Sequence, residues 1–152
     1  MSGKGSNNAI AATEGENLIH FRDGGLISIK ICPAMGSGNL TLATQQVMRS
    51  SGIPMHRHLL ADEVFFVLEG SGTFILDNAG HSFATGATLY IPRNSWHGFE
   101  NPDHELLLLW VVTPAGLDGF FRETCAAPGH TSKQPSQEQV RLVAQKYATE
   151  FR

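Results

Sequence analysis

Pro54-Met55-His56-Arg57-His58-Leu59-Leu60-Ala61-Asp62-Glu63 is the stretch on which the fold of this 152-residue chain turns. Side chains of an extended strand alternate between faces, so His56 and His58 point the same way. A short turn then delivers the carboxylate of Glu63. A later segment, Pro92-Arg93-Asn94-Ser95-Trp96-His97, offers a third imidazole. Three imidazoles and a carboxylate, with no thiolate, suit a divalent first-row metal. Such donors, drawn from separate segments, come together only on folding.

Around this stretch the chain reads as short β-like runs between turn signals. The runs are Leu18–Phe21, Leu26–Ile31, Leu40–Met48, Glu63–Leu68, Thr73–Leu76, Thr88–Ile91 and Leu106–Thr113. That rhythm predicts an all-β sandwich or barrel. Asp77-Asn78-Ala79-Gly80 reads as a hairpin tip, because Asn and Gly tolerate positive φ. Glu63, Phe65 and Val67 alternate onto one face, and Val64, Phe66 and Leu68 onto the other. Both faces are apolar, so both need cover, from a second sheet, a C-terminal helix or another subunit.

Two segments break the β rhythm. Thr113-Pro114 reads as a helix start, with Thr113 as cap and Pro114 in the first turn. Leu117, Phe120 and Phe121 then share a face. Pro135-Ser136-Gln137-Glu138-Gln139 has the form of a capping box. Val140, Val143, Ala144, Tyr147 and Phe151 follow at helical spacing. The expected organisation is a flexible tail over 1–15, a β-barrel over 16–113 and a helical extension over 114–152 that packs on the barrel or a partner. The stretch 126–133 reads as a loop.

Composition removes several classes of function. The net charge is −3 and only 16% of residues are charged. With no basic patch, nucleic acid and anionic membrane are not expected partners. The first residues lack the apolar core of a secretory signal. The longest apolar run, Leu106–Val112, is strand-sized and far short of a membrane span. A cytoplasmic protein is expected, with Cys32 and Cys125 reduced.

With the spacing of both segments in view, the chain resembles a small single-domain cupin, most of all the quercetin-dioxygenase-like branch. The first cupin motif runs glycine, His-x-His, Glu, Gly; here it is His56-Arg57-His58, Glu63 and Gly70. The second runs glycine, Pro-x-Gly, His, Asn; here it is Gly86, Pro92, His97 and Asn101. Ser50 and Asn94 stand where the family has glycine, and Asn is the non-glycine residue that best tolerates the left-handed conformation. The resemblance implies a double-stranded β-helix, or jelly-roll barrel, with a short C-terminal helical extension. It implies a metal held by His56, His58, Glu63 and His97, with Fe, Mn, Ni, Cu and Zn all open. It implies a homodimer and a small-molecule ligand or substrate. Glu63 is the candidate base, and His97 is expected to close the site from across the barrel.

Met48, Phe65, Phe99 and Trp110 are the candidate walls of an apolar substrate pocket, with plain core as their other reading. No arginine or lysine is obvious beside the metal face, since Arg57 should point away from it. That favours an aromatic or other neutral substrate over a sugar phosphate. A metal-dependent oxygenase is the leading expectation, beside a non-catalytic binding or sensor cupin and a metal-dependent isomerase or epimerase. His20, His81, His104 and His130 match no motif. Asp62 reads as a solvated turn residue.

Overall fold

Strand pairing places the two histidines and the glutamate on facing sheets. The computed structural model describes residues 18–20, 25–127 and 134–152. One sheet runs β1 (Leu18–His20), β2 (Leu26–Ile31), β3 (Thr41–Val47), β10 (Leu106–Thr113), β5 (Asp62–Glu69), β8 (Thr88–Ile91). The second runs β11 (Thr149–Phe151), β4 (Ile53–His58), β9 (His97–Glu100), β6 (Ser71–Leu76), β7 (Ala79–Ala84). The described pairings are antiparallel. Helices α1 (Asp118–Thr124) and α2 (Gln137–Lys146) follow β10.

The alternation of β5 is the reason the two sheets stay together. Glu63, Phe65 and Val67 face inward and are buried, at 3%, 2% and 0% exposure. Phe65 meets Phe99 of the other sheet edge-on, with ring centroids 4.8 Å apart. Phe74 and Phe83 pack on the same Phe99 ring at 5.2 and 5.7 Å. This aromatic cluster fills one end of the barrel, and burying each ring contributes about 1.5–3 kcal/mol. The other end stays open around the histidines.

Several expectations need correction. Asp77 and Asn78 alone form the hairpin turn, since Leu76 pairs with Ala79. The positive φ falls on Asp77, at 53°, while Ala79 and Gly80 already belong to β7. Thr113 does not cap a helix. It is still a strand residue, paired with Asp62, and its hydroxyl donates to Asn39 O at 2.9 Å. The helix begins at Asp118 instead, where buried Asp118 accepts from Thr41 Oγ1 at 3.4 Å. Leu117, Phe120 and Phe121 are nonetheless buried together.

The capping box at Ser136 forms, with Gln139 N donating to Ser136 Oγ at 3.2 Å and Ser136 N to Gln139 Oε1 at 2.8 Å. Helix α2 then stops at Lys146, so Phe151 is not on its apolar stripe. Ala148 takes φ 48° and turns the chain back. Thr149–Phe151 becomes β11, which pairs with the histidine strand: Thr149 opposite His58 and Phe151 opposite His56. The segment after β10 therefore ends as part of the barrel. Phe21, the expected tail 1–15 and most of the expected loop 126–133 lie outside the described residues.

Candidate metal centre

His56 and His58 are one strand period apart on β4, and both side chains point inward. His97 stands opposite His56 in the neighbouring strand β9. The third imidazole thus comes from the same sheet, not from across the barrel; sequence distance hid a direct strand pairing. Glu63 is the donor that crosses, because it sits on β5 in the facing sheet. One ligand atom from each of the four residues lies within 4.8 Å of all the others. All four are buried, and His97 is fully so at 0% exposure.

The turn before His97 depends on a left-handed residue, and Asn94 supplies it with φ 69°. Ser50 does the same at the other departure, with φ 64°. Asn101 ties these segments together. Its amide donates to Met48 O at 3.0 Å and His104 O at 2.7 Å, while its carbonyl accepts from Gly52 N at 2.9 Å. Arg93 locks the same loop from outside by donating to both carboxylate oxygens of Asp62, at 3.2 and 3.0 Å. Asp62 is therefore paired, not merely solvated, and the Arg93 hydrogen bonds hold its carboxyl below the usual range.

Hydrogen bonds on the far side of each ring settle which nitrogen faces the cluster. A carbonyl only accepts, so His56 Nδ1 donates to Pro54 O at 2.8 Å and His97 Nδ1 donates to Ser95 O at 2.9 Å. His58 Nδ1 meets Thr149 Oγ1 at 2.9 Å. The Nε2 atoms are then left for the cluster, and two of them meet Glu63. His97 Nε2 lies 3.1 Å from Glu63 Oε2, and His58 Nε2 lies 3.3 Å from the same oxygen. With neutral rings these contacts set lone pair against lone pair, and His58 Nε2 is a buried nitrogen with no hydrogen-bond partner.

Burial pushes the Glu63 carboxyl up, but His58 and His97 outweigh it and hold it below the usual carboxylate range. A buried carboxylate needs a cation, either a proton on a facing imidazole or a metal ion. His56 is a poor proton holder. Burial first, then His97 and His58, keep it well below the ordinary imidazole value. Three nitrogens and one carboxylate oxygen converging on one point fit a divalent metal ion.

His56, His58 and Glu63 form part of the wall of a cavity of about 220 Å³, while His97 is sealed behind them. Phe65, Trp110, Phe120, Phe121 and Phe151 supply its aromatic wall. Of the expected pocket residues, Phe65 and Trp110 line this cavity. Phe99 sits in the aromatic cluster at the other end, and Met48 is not on the cavity wall. Gln45 fixes Trp110, accepting from its Nε1 at 3.2 Å. Arg57 does point away, pairing with Glu150 and standing 4.7 Å over Trp96. The cavity is not free of cations, however. Arg141 of α2 is on its wall beside Gln137, and neither was legible as a pocket residue, because one helical turn on α2 reads only as a solvated face. Phe120, Phe121 and Phe151 were legible as apolar residues but not as cavity walls, because they come from the segment after the barrel.

His81 and His104 are exposed and stand outside the cluster. Cys32 is a buried free thiol. Among the described residues no helix is long and apolar enough to cross a membrane.

A two-sheet antiparallel barrel holding a buried three-histidine, one-glutamate cluster has the cupin fold. Residues 44–113 match the cupin domain family, and the chain carries that domain in a cupin fold. It is 33% identical over 81 residues to an uncharacterized protein of Methanocaldococcus jannaschii, covering 53% of this chain. It is 31% identical over 107 residues, or 64% of this chain, to Auxin-binding protein 1 of Arabidopsis thaliana. It is 26% identical over 85 residues, or 56% of this chain, to Quercetin 2,3-dioxygenase of Bacillus subtilis. The matched region spans 65%, 53% and 25% of those relatives' own lengths, under two thirds of each. Among solved structures, KdgF from a Halomonas species superposes with TM-score 0.64 at 16% identity, covering 73% of this chain and 98% of that one. That likeness is one of fold.

Proposed function

We propose that this cupin is a metal-dependent oxygenase acting on a small, largely apolar substrate with a single aromatic ring. The observation that carries the reading is the one-sided exposure of the cluster: His56, His58 and Glu63 line the aromatic cavity and His97 is sealed behind. A metal ion held by these four residues would be reached from the cavity, past His56, His58 and Glu63. The similarity to Quercetin 2,3-dioxygenase supports the class of chemistry. Iron, manganese, nickel, copper and zinc all suit the donor set, and a redox-active one would supply Lewis acidity and electron exchange with dioxygen.

The residues of the chain do the rest. Glu63 is a ligand and, among the described residues, the one carboxylate on the cavity wall, placed to take a proton from an acidic substrate hydroxyl. The aromatic wall excludes water and orients a flat ring. Size sharpens the substrate class. An apolar cavity of about 150 Å³ holds benzene, so 220 Å³ admits one ring and its substituents. A three-ring flavonol would protrude through the mouth. Arg141 at the wall suits a substrate with an acidic group, contrary to the neutral substrate expected from the sequence.

The test is oxygen uptake by the iron, manganese, nickel and copper forms over a panel of three-ring flavonols and one-ring catechols, the latter with and without a carboxylate. Substrate-dependent uptake, strongest for one-ring compounds, is expected. No uptake with any metal contradicts the oxygenase, and product formed without oxygen replaces it with an isomerase. A second reading, a binding cupin without turnover, draws on the similarity to Auxin-binding protein 1. Ligand-dependent thermal stabilisation without product would select it. We further infer a homodimer, and a reducing, cytoplasmic compartment in keeping with the free thiol of Cys32.

A further inference from the structure

His56 and His97 each find the partner for Nδ1 in their own strand segment, two residues earlier. His58 does not. Its partner is Thr149, 91 residues away on β11 and outside the matched domain 44–113. Thr149 is 2% exposed. Its single hydroxyl proton goes to Tyr147 O at 3.1 Å. The oxygen therefore meets His58 as an acceptor, and His58 Nδ1 is the donor at 2.9 Å. That hydrogen bond leaves the Nε2 lone pair of His58 facing Glu63.

The rest of β11 is held in place to do this. Leu59 N donates to Ala148 O at 2.7 Å, and Arg152 N donates to Met55 O at 3.0 Å. Glu150 pairs with Arg57 on the outer face. The Phe151 ring stacks on His56, with centroids 5.7 Å apart and planes at 29°. Two of the three imidazoles are thus steadied by one strand of three residues.

We propose that β11 completes the metal centre, with Thr149 as a positioning residue that sets the tautomer and orientation of His58. The proposal rests on the metal reading above. It makes metal affinity a property of the segment after the barrel, not of the cupin motifs alone. Partners behind a ligating imidazole typically change metal affinity 10- to 100-fold when removed.

Cobalt(II) is the probe, because its visible spectrum reports coordination. Wild type, Thr149→Val and Thr149→Ser are titrated against a competing chelator, and unfolding of each metal-free protein is followed in parallel. Thr149→Val keeps the shape and loses the hydroxyl. It is expected to bind cobalt about 10- to 100-fold more weakly, with an altered spectrum. Thr149→Ser is expected to restore both. Should Thr149→Val fail to fold, nitrogen-15 spectra of the zinc-loaded wild type decide: His58 bound through Nε2 with a protonated Nδ1 supports the proposal. Coordination through Nδ1, or wild-type affinity in a folded Thr149→Val, overturns it. Wild type that binds neither cobalt nor zinc removes the metal reading and this proposal with it.

Discussion

His97 and His81 belong to the same sheet, yet only His97 turns its ring to the cluster. His97 Nε2 is 3.1 Å from Glu63 Oε2, and His81 is exposed. His97→Ala is expected to weaken metal binding by at least about 10-fold, while His81→Ala leaves it unchanged; equal loss in a metal titration would mean the wrong fourth ligand. His56 gives a pH signature. Its folded pKa is lowered, chiefly by burial and next by His97 and His58. An unfolded histidine titrates near about 6.5, so between the two values the unfolded chain binds the extra proton. Stability is fully present above about 6.5 and is lost as pH falls toward the folded value. The urea midpoint of the metal-free protein should fall from about pH 7 to about pH 5, and fall less in His56→Gln. Identical drops in both would contradict this. Metal affinity should fall in the same direction as pH drops through about 6, since the ligands must be neutral. The four donors themselves were legible, because strand alternation and fixed spacing leave few other arrangements. The partners of their Nδ1 atoms were not, since a carbonyl two residues back and a threonine from β11 carry no pattern.

At the scale of elements, runs set off by turn signals could be read even when short, as for β8 (Thr88–Ile91), and others could not. β10 and β2 coincide with their expected ranges, β10 as an apolar run and β2 as an alternating one, each bounded by turn residues. β9, His97–Glu100, has Gly98 inside it and so lacks the run of strand-forming residues that marks β8, and β11 has three residues, too few for a period of two to show. Phe151 falls four residues after Tyr147, a helical spacing, but Ala148 at φ 48° ends the helix between them. Helices α1 and α2 are clasped by Glu123, which accepts from Lys146 Nζ at 2.9 Å and from Tyr147 Oη at 2.7 Å. The Glu123 hydrogen bond, with burial, pushes the Tyr147 hydroxyl up to about 12. Gly119 lies under this clasp. Glycine to alanine inside a helix normally gains about 0.5–1 kcal/mol. Here the added Cβ would overlap the Tyr147 ring. Gly119→Ala should therefore destabilise, by about 1–3 kcal/mol, as read by chemical denaturation, and pairing it with Tyr147→Ala should remove most of the penalty. A stabilised single variant would show that the clasp is not formed.

For the whole molecule, alternation along β5 made plain that its outer face is apolar, but not what covers it. Among the described residues nothing fully does. Phe66, Leu68 and Tyr90 are 38%, 37% and 62% exposed on that face, with Leu109 and Val111 half-buried beside them. A second copy seated there fits the proposed homodimer. Phe66→Glu with Tyr90→Glu should give a monomer by light scattering with its metal content intact. A dimer that survives both changes would place the interface elsewhere. The barrel's strand order was the other hidden feature: His97 beside His56 is a long-range pairing that local pattern does not encode. The most direct measurement on the metal centre is elemental analysis of untagged protein purified without added metal, set beside His56→Ala. About one equivalent of a transition metal per chain is expected in the wild type, lost in the variant. No metal in either, and none bound on reconstitution with iron, manganese, nickel, copper or zinc, would contradict a metal centre at His56, His58, Glu63 and His97.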